Sequence, residues 1–475
     1  MRICLIAEGC YPYVAGGVSS WIQMLVKGMP QHEFVLCTIG ATKDQRGVFK
    51  YEIPENIVEI HENFLDELME GSFRTKDGRV LAPKEHQAML DLITKDSVDW
   101  DTIFDMFGRG GRYKANQFLS SRGFLDIVKD ACQEEYRMTP FNDVFWTIRS
   151  MLLPILNIMA CSIPQVDVFH SVSTGYAGLL GAMFQHKTGR PLLLTEHGIY
   201  TREREEEILK ARWVDVYFKQ TWINFFAGMS RAAYHKASRI FSLFYKAREL
   251  EIELGAPAER CSVIPNGIKM SRFQDIPPIA DDGHPLVLGA VIRAVPIKDL
   301  KTMIHAFDLV RRRMPEAKLY LIGPTDEDPE YYQECLDLIR NLECTGITFV
   351  GRVNVAEWYG QMDILLLSSV SEGQPFVILE AMASHRPVIA TDVGSCRELV
   401  EGNEDGFGPS GMIVPVMNPS LMARAILQLG SDRAMQRAMG EAGFRRVDRF
   451  YREEDFLAAY EKEYEEVKAL GGRGV

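Results

Sequence analysis

The stretch ILLLSSVSEGQPFVILEAMASHRPVIAT, residues 364–391, places two short apolar runs on either side of a segment of helix length. The runs Ile364–Leu367 and Val388–Thr391 carry almost no polar side chains, as is typical of parallel strands buried on both faces of a sheet. Pro375 between them suits the first turn of a helix, where its missing N–H costs no hydrogen bond. The stretch therefore predicts one strand–helix–strand repeat of a parallel α/β fold.

The same alternation of apolar runs and helix-length segments continues through most of the chain. The first series of runs comprises Ile3–Ala7, Phe34–Ile39, Ile57–Ile60, Val166–His170, Leu192–Thr195, Ile240–Leu243 and Ser262–Ile264. The second comprises Leu286–Ile292, Lys318–Ile322, Ile347–Val350, Ile364–Leu367, Val388–Thr391 and Met412–Val414. Two such series predict an α/β protein of two doubly wound Rossmann-like domains, with ligands bound in a cleft at the carboxyl ends of the strands.

The domain boundary is predicted in IPPIADDGHP, residues 276–285, whose proline, glycine and aspartate content suits a linker. Residues 1–276 would form the N-terminal domain and residues 277–448 the C-terminal domain. Residues 449–475 contain a charged helix that we expect to pack back on the N-terminal domain. Residues from about 62 to 160 interrupt the first series and are interpreted as a helical insertion without assigned chemistry.

Composition and charge narrow the function classes. The chain has 475 residues, of which 47% are apolar and 25% charged, as in globular proteins. Its net charge of −12 argues against a nucleic-acid binder, which needs a basic face. No apolar run approaches the roughly 20 residues that span a bilayer, and the N-terminus lacks a signal-peptide core. Nine scattered cysteines without a CxxC pair indicate neither a disulfide framework nor a zinc site, so a cytoplasmic protein is expected.

Glu372 and Glu380 are two carboxylates in largely apolar company. Glu372 would lie in the loop before a helix and Glu380 within that helix. The free N–H groups and positive dipole of a helix start suit a phosphate, while Glu380 could accept ribose hydroxyls and Glu372 sugar hydroxyls. Two other interpretations stay open here: a catalytic acid/base pair, as in glycosidases, or two solvated surface glutamates.

Three further groups of residues follow predicted strands. Arg293 and Lys298 could neutralise a diphosphate at a strand exit, or could simply be solvated. His197 follows a strand and precedes a glycine, although a histidine there is more often a packed polar residue than a catalyst. Gly16 and Gly17 open the first helix, where glycines let backbone amides approach an anion, but such a pair is often only a turn.

In order and spacing these motifs resemble the retaining GT-B glycosyltransferases of family 4. That family has a glutamate, seven residues and a second glutamate, then a helix of small residues and a Pro-Val strand; SEGQPFVILEAMASHRPVIATDVGS, residues 371–395, matches it. RAVPIKD, residues 293–299, resembles the family's diphosphate clamp, and IPNGI, residues 264–268, and FVGRV, residues 349–353, also match in order. The resemblance covers nearly the whole chain outside residues 62–160 and is closest to the cytosolic branch that serves the bacterial Pel exopolysaccharide system.

Two positions depart from the family pattern. Gln374 and Pro375 stand where Phe-Gly is common, and Pro375 has no N–H to donate, so phosphate contacts would fall to the amides of Phe376 and Val377. His385 stands where the family has a glycine, which raises the question of how the backbone turns there.

The resemblance implies a retaining, metal-independent transfer of a hexose from a UDP-sugar, with UDP-glucose as the first guess, to a growing exopolysaccharide. It implies catalytic roles for His197, Glu372, Arg293 and Lys298. It implies donor contacts from Gly16, Gly17, Arg293, Lys298, Gly351, Arg352, Val353, Glu372, Gly373, Gln374, Pro375, Phe376, Val377 and Glu380. No metal or other cofactor is expected, and the expected partners are the polysaccharide acceptor and inner-membrane polysaccharide synthase subunits.

Four other functions compete with this one. A metal-dependent transferase would use an Asp-x-Asp motif, and Asp99–Asp101 and Asp326–Asp328 have that spacing. A glycosidase would not need the diphosphate clamp. A nucleotide-sugar epimerase would share the clamp but not the combination of both glutamates with His197. A non-catalytic nucleotide-sugar sensor or scaffold would have no need of His197.

Overall fold

The computed structural model describes residues 1–69, 80–280 and 282–471. It divides into two compact units: unit 1 contains Met1–Val263 and Tyr460–Val475, and unit 2 contains Ile264–Ala459. The sequence places this boundary near residue 276, in the linker-like stretch. In the structure the chain changes unit earlier, directly after the last strand of the first sheet.

Unit 1 is built on one parallel sheet. Its strands are β1 Arg2–Glu8, β2 Glu33–Gly40, β3 Ile57–Phe64, β4 Val168–Ser171, β5 Leu192–Glu196, β6 Arg239–Ser242 and β7 Cys261–Val263. They lie in the order β3-β2-β1-β4-β5-β6-β7, and every neighbouring pair is parallel. The interior strands are buried along their length because helices cover both faces, which explains their near-continuous apolar runs.

Eleven helices accompany this sheet in the described part of unit 1 before residue 264. They are α1 Gly17–Gly28, α2 Leu65–Met69, α3 Pro83–Thr94, α4 Trp100–Phe107, α5 Ala115–Phe118, α6 Arg122–Glu134, α7 Phe141–Ile158, α8 Gly175–Thr188, α9 Tyr200–Lys210, α10 Val216–Lys236 and α11 Tyr245–Glu253.

The predicted insertion, residues 62–160, is helical from α2 to α7, and its residues 70–79 lie outside the described residues. It does not merely decorate the domain. Phe104, Phe124 and Leu152 from these helices belong to the same buried cluster as Cys4 and Ile6 of β1. The insertion is therefore an integral layer of the unit 1 core.

Unit 2 is built on a second parallel sheet. Its strands are β8 Val287–Val291, β9 Lys318–Ile322, β10 Ile347–Gly351, β11 Ile364–Leu367, β12 Val388–Thr391 and β13 Gly411–Val414, in the order β10-β9-β8-β11-β12-β13. Its helices are α12 Leu300–Arg311, α13 Pro329–Asn341, α14 Val355–Tyr359, α15 Phe376–Ala383, α16 Cys396–Glu401, α17 Pro419–Gly430 and α18 Arg433–Phe450. The two predicted Rossmann-like domains are confirmed, one strand for each predicted run.

The last helix, α19, runs over Glu453–Gly471, and its residues from Tyr460 onward belong to unit 1. There Tyr464 OH and His170 Nδ1 form a hydrogen bond of 2.6 Å, and Tyr460 OH lies 2.9 Å from Thr195 Oγ1. All four side chains are buried. In the described part of the chain, no helix combines the length and apolarity needed to cross a bilayer.

Candidate active site

The predicted donor-binding residues of unit 2 follow neighbouring strands. Arg293 and Lys298 come after β8, and Glu372 comes after β11. Because β8 and β11 are hydrogen-bonded and parallel, the loops that follow them leave the sheet at the same edge. In doubly wound folds this is the edge at which ligands bind.

Lys298 and Glu372 form an ion pair at this edge. Lys298 Nζ lies 2.5 Å from Glu372 Oε1, and the same oxygen accepts a hydrogen bond of 2.5 Å from Ser369 Oγ. The two side chains are only 17% and 12% exposed, so solvent screens the pair weakly. One cation and one carboxylate are thus held side by side in a fixed position.

The loop that carries Glu372 is held by hydrogen bonds on one side and by close backbone packing on the other. Ser368 Oγ donates to the carbonyl of Lys298 at 2.8 Å, and the N–H of Val370 donates to the carbonyl of Ile297 at 2.9 Å. On the other side Gly394, with φ of 52°, approaches so closely that a Cβ there would lie 2.2 Å from the carbonyl oxygen of Glu372. Only glycine fits that backbone approach.

The acidic run 326–328, the alternative metal motif, contacts the other predicted cations of unit 2. Glu327 Oε2 lies 2.7 Å from Arg293 Nη1, and Asp326 Oδ1 lies 3.0 Å from Arg352 Nη2. Asp328 caps α13 by accepting a backbone N–H of its first turn at 3.0 Å. Among residues 1–69, 80–280 and 282–471, no group of three or more histidine, cysteine, aspartate or glutamate side chains is suited to a metal ion.

The other acidic motif, Asp99–Asp101, has structural contacts in unit 1. Asp99 caps α4 by accepting the N–H of Thr102 at 3.1 Å. Asp101 Oδ1 lies 2.6 Å from Lys236 Nζ. These contacts stabilise a helix start and join the insertion to α10.

Helix α15 begins at Phe376, one residue after the proline. Pro375 therefore occupies the N-cap position, not the first turn predicted for it from the sequence. Within the described residues no side chain caps this helix and its first turn holds no acidic residue, so the N–H groups of Phe376 and Val377 have no side-chain acceptor. Such a helix start favours an anion.

Glu380 lies in the second half of α15 and is largely buried. Tyr359 OH donates a hydrogen bond of 2.9 Å to its Oε2. Burial raises the pKa of Glu380, while the hydrogen bond from Tyr359 and the positive charge of Arg272 oppose this rise. The carboxylate is therefore oriented by Tyr359, and no lysine or arginine of the described residues forms an ion pair with it.

The predicted residues of unit 1 are Gly16, Gly17 and His197. Helix α1 starts at Gly17 with Gly16 at its N-cap, and the φ of 174° at Gly16 is an extended conformation that any residue adopts. A Cβ at either glycine would meet no described atom within 4 Å. The two glycines therefore provide an open approach to the helix start and not a special backbone conformation.

His197 follows β5, and its ring packs edge-on against Trp21 with the ring centroids 4.8 Å apart. Its Nε2 is buried and has no hydrogen-bond partner in the described part of the chain. Burial lowers the pKa of His197 to about 3, so the imidazole is neutral near pH 7. His197 is thus a neutral ring whose buried Nε2 has no acceptor or donor beside it among the described residues.

Two family profiles cover most of the chain. Residues 1–259, more than half of the 475, match a family described as a domain of unknown function, DUF3492. The chain belongs to the DUF3492 family. Residues 285–432, which include the Lys298–Glu372 pair and Glu380, match glycosyl transferases group 1.

Relatives of this DUF3492 protein include one named a synthase and one named a mannosyltransferase. N-acetyl-alpha-D-glucosaminyl L-malate synthase of Bacillus anthracis is 32% identical over 36% of this chain and 43% of its own length. MMP alpha-(1->4)-mannosyltransferase of Mycolicibacterium hassiacum is 24% identical over 67% of this chain and 75% of its own length. The first alignment spans less than half of that relative.

Among solved structures, HepE from Anabaena in complex with UDP is similar with a TM-score of 0.62. The sequences are 14% identical, and the superposition covers 98% of this chain and 100% of HepE. The likeness shows that the DUF3492 chain has the GT-B architecture of two Rossmann-like domains.

Sequence reasoning missed one contact that shapes the loop after Glu372. The backbone N–H of Asn266 donates to Gln374 Oε1 at 2.5 Å, and Asn266 Nδ2 donates to the carbonyl of Gln374 at 3.1 Å. Both residues are buried. Gln374, the departure from the family pattern, therefore supplies an acceptor to the IPNGI segment. The sequence showed Asn266 and Gln374 only as polar residues of two separate motifs, and it gave no sign that they are in contact.

His385 is the other departure from the family pattern, which has a glycine at this turn. It adopts the left-handed conformation itself, with φ of 55°. Its ring stacks on Phe444 at a centroid distance of 4.1 Å, and its Nδ1 lies 3.3 Å from Glu441 Oε2. Contacts with α18 thus offset the strain of a non-glycine residue in this conformation.

Two carboxylates at the carboxyl edge of the unit 1 sheet were also missed. Glu8 ends β1 and accepts the N–H of Ala177 at 3.1 Å, and burial raises the pKa of Glu8 to about 7. Glu196 ends β5 beside His197 and accepts hydrogen bonds from Thr174, Tyr200 and Tyr234. Each acid directly follows an apolar run, Ile3–Ala7 or Leu192–Thr195, and this position at a strand end was the available signal.

Proposed function

We propose that this protein is a retaining, metal-independent glycosyltransferase that transfers a hexose from a UDP-sugar to a growing exopolysaccharide. The observation that carries the proposal is the Lys298–Glu372 ion pair at the carboxyl edge of the unit 2 sheet. It supports the proposal because Lys298 would face the leaving diphosphate and Glu372 would contact the sugar, and both lie in the segment that matches glycosyl transferases group 1.

The diphosphate would be stabilised by positive charge from side chains and backbone. Lys298 is a largely buried point charge, and the N–H groups of Phe376 and Val377 start an uncapped helix. Arg293 is 43% exposed and paired with Glu327, an interaction weak enough for a diphosphate to replace. In this proposal these groups take the place of a metal ion in stabilising the departing nucleotide.

The nucleoside and the sugar would be held by the remaining predicted residues. Glu380, oriented by Tyr359, would accept the ribose hydroxyls, and Gly351, Arg352 and Val353 would contact the base through the loop after β10. Gly373, Gln374 and Pro375 shape the loop around Glu372. HepE, whose fold is similar, has been solved with UDP and with UDP-glucose, which supports UDP-glucose as the first donor to test.

The reaction would retain the configuration of the sugar. The glycosidic oxygen bonded to phosphate would leave with its electron pair, and the acceptor hydroxyl would attack the anomeric carbon from the same face. The departing phosphate oxygen would take the acceptor proton, so no carboxylate is needed as general base. His197, whose pKa is lowered by burial so that the ring is neutral near pH 7, would hold a donor sugar hydroxyl.

The acceptor is proposed to be an exopolysaccharide such as Pel, which would make this a PelF-type cytoplasmic transferase. A polymer of this kind must cross the inner membrane, so we propose docking to membrane-embedded synthase subunits. Deleting residues 62–160 is not a usable test of docking, because helices α4, α6 and α7 contribute to the unit 1 core. Single changes at exposed positions of these helices are required, with membrane recruitment as the readout.

The test is a screen of UDP-sugars and GDP-sugars by thermal shift, followed by mass spectrometry of the products formed in excess EDTA. Binding of a UDP-sugar and sugar transfer without metal are expected. Turnover that is lost in EDTA and restored by Mg²⁺ or Mn²⁺ would overturn the metal-independent mechanism and favour the run 326–328 as a metal site. Donor binding without turnover on any acceptor would favour a non-catalytic subunit, and a changed sugar still attached to UDP would indicate an epimerase.

A further inference from the structure

A cavity of about 240 Å³ lies in unit 1 between α7 and the start of α10. We call it the tryptophan cavity, and it is lined among others by Asp143, Trp146, Trp213, Asp215, Phe218 and Trp222. It is smaller than the roughly 300–1,000 Å³ of pockets for drug-sized ligands, so it suits a ligand of about one ring. None of the residues considered in the proposed active site lines it.

Of the aromatic side chains that line the cavity, two are buried and two are exposed. Phe218 and Trp222 are buried, whereas Trp146 and Trp213 are 56% and 72% exposed. The rings of Trp213 and Trp222 meet edge to face at a centroid distance of 5.6 Å. Exposing two indoles at one cavity is costly in water, which marks the site as a binding surface. Their flat faces suit a flat apolar surface of a ligand.

Polar groups of the cavity select the kind of ligand. Asp143 and Asp215 are exposed, and among the described residues neither side chain has a hydrogen-bond or ion-pair partner. No lysine or arginine is among the lining residues. Two unpaired carboxylates disfavour nucleic acid, a phosphorylated ligand or an anionic membrane surface, each of which requires basic residues. They do offer four oxygen acceptors to hydroxyl groups.

The fold places this cavity beyond the same edge of the sheet as His197. Helix α9 starts at Tyr200, three residues after His197, and its 11 residues span about 16 Å before the chain reaches Trp213. Helix α10 has 21 residues, about 31 Å, and returns to the start of β6, whereas the five residues of β5 span about 17 Å. The first turns of α10 therefore extend past the carboxyl ends of the strands.

We propose that the tryptophan cavity binds one sugar residue of an uncharged or cationic oligosaccharide, several residues along the chain from the end near His197. A pyranose ring presents an apolar C–H face to an indole and hydroxyls at its edge to carboxylates, which is the combination that the cavity offers. The inference deepens the proposed function, on which it rests, by assigning the acceptor a second contact. A protein partner is a poorer match, because a standard interface needs about 800 Å² on each partner and not a one-ring cavity.

The test measures binding of maltohexaose and of the hexamer of N-acetylglucosamine to the full-length protein by titration calorimetry. Trp213→Ala and Trp146→Ala should each weaken binding by about 10-fold or more, and Asp215→Asn by several-fold. Tyr245→Ala is the matched control, since Tyr245 is a 58% exposed aromatic of unit 1 that does not line the cavity. Because the mutated side chains are exposed, thermal unfolding of the variants should match the wild type.

Hexamer, vesicle and UDP binding together decide whether the proposal holds. The proposal would be overturned if the wild-type protein bound neither hexamer. It would also be overturned if the control and the tryptophan variants lost equal amounts of hexamer affinity. Loss of anionic-vesicle binding in Trp213→Ala, with hexamer binding unchanged, would overturn it in favour of a membrane contact. UDP binding, measured in parallel, separates the two proposals: UDP binding without hexamer binding contradicts only this one. Hexamer binding without UDP binding contradicts only the proposed transferase.

Discussion

Lys298 and Glu372, 74 residues apart in the chain, contact each other directly, with Nζ of the lysine 2.5 Å from Oε1 of the glutamate. The structure joins two motifs whose separate signals were each weak in the sequence. Glu372, which holds Lys298 in place, also accepts a hydrogen bond from Ser369.

Lys298→Gln should lower kcat by about 100- to 1,000-fold, because it removes a preorganised charge from the leaving diphosphate. The loss should appear in steady-state kinetics with a UDP-sugar donor. Lys301→Gln is the matched control, since Lys301 pairs with Glu334 at 2.7 Å but is 41% exposed, and it should change kcat by less than about 2-fold. Equal losses in the two variants would contradict the role of Lys298.

Glu380→Gln should raise the donor KM by about 10- to 100-fold with little change in kcat, because a ribose contact holds the ground and transition states equally. Glu357→Gln serves as the control, because Glu357 is an exposed residue of the same unit. Abolished kcat with an unchanged KM and a flattened pH limb would instead identify Glu380 as a general base.

The pH dependence of donor binding should follow the titration of the Glu380 carboxyl group. Burial raises the pKa of Glu380, and only the ionised form is a strong acceptor, so donor affinity should fall as the pH decreases through this raised pKa. Tyr359→Phe removes a hydrogen bond that lowers this pKa, so the acidic limb of log kcat/KM should move to higher pH. An unmoved limb would assign the titration to another group.

Gln374→Ala should destabilise the fold by about 1–3 kcal/mol, because the buried N–H of Asn266 loses its acceptor. Urea unfolding followed by tryptophan fluorescence measures the change. Gln333→Ala is the control, as Gln333 makes an exposed hydrogen bond to Asp337 within one helix and should cost less than about 0.5 kcal/mol. If the two variants are equally stable, the Asn266–Gln374 contact contributes nothing measurable.

Glu251→Gln should stabilise the protein more at alkaline than at acidic pH. Burial raises the pKa of Glu251 in the folded state, and the negative charge of Glu196 raises it further. Between the unfolded and folded pKa values the unfolded chain has released the proton and the folded chain has not, so stability is lost as the pH rises. The gain from the neutral glutamine should be at least about 1 kcal/mol larger at about pH 8.5 than at about pH 5. A gain independent of pH would contradict the titration of Glu251.

The sequence by itself determined the fold class. Each predicted apolar run corresponds to a strand, and Lys318–Ile322, Ile364–Leu367 and Val388–Thr391 match the observed strands residue for residue. A parallel strand buried on both faces needs a short, nearly uninterrupted apolar run, and that requirement is local. The motif spacing that suggested a glycosyltransferase is likewise a property of short segments, so it could be read before any contact was known.

Only the tertiary structure decided how these segments meet. It set the order of the strands, built residues 62–160 into the unit 1 core, and moved the unit boundary to the end of β7. It also paired Lys298 with Glu372, Arg293 with Glu327, and Asn266 with Gln374. Such pairings depend on distances between residues that are far apart in the chain, and no local pattern of apolar and polar side chains encodes those distances.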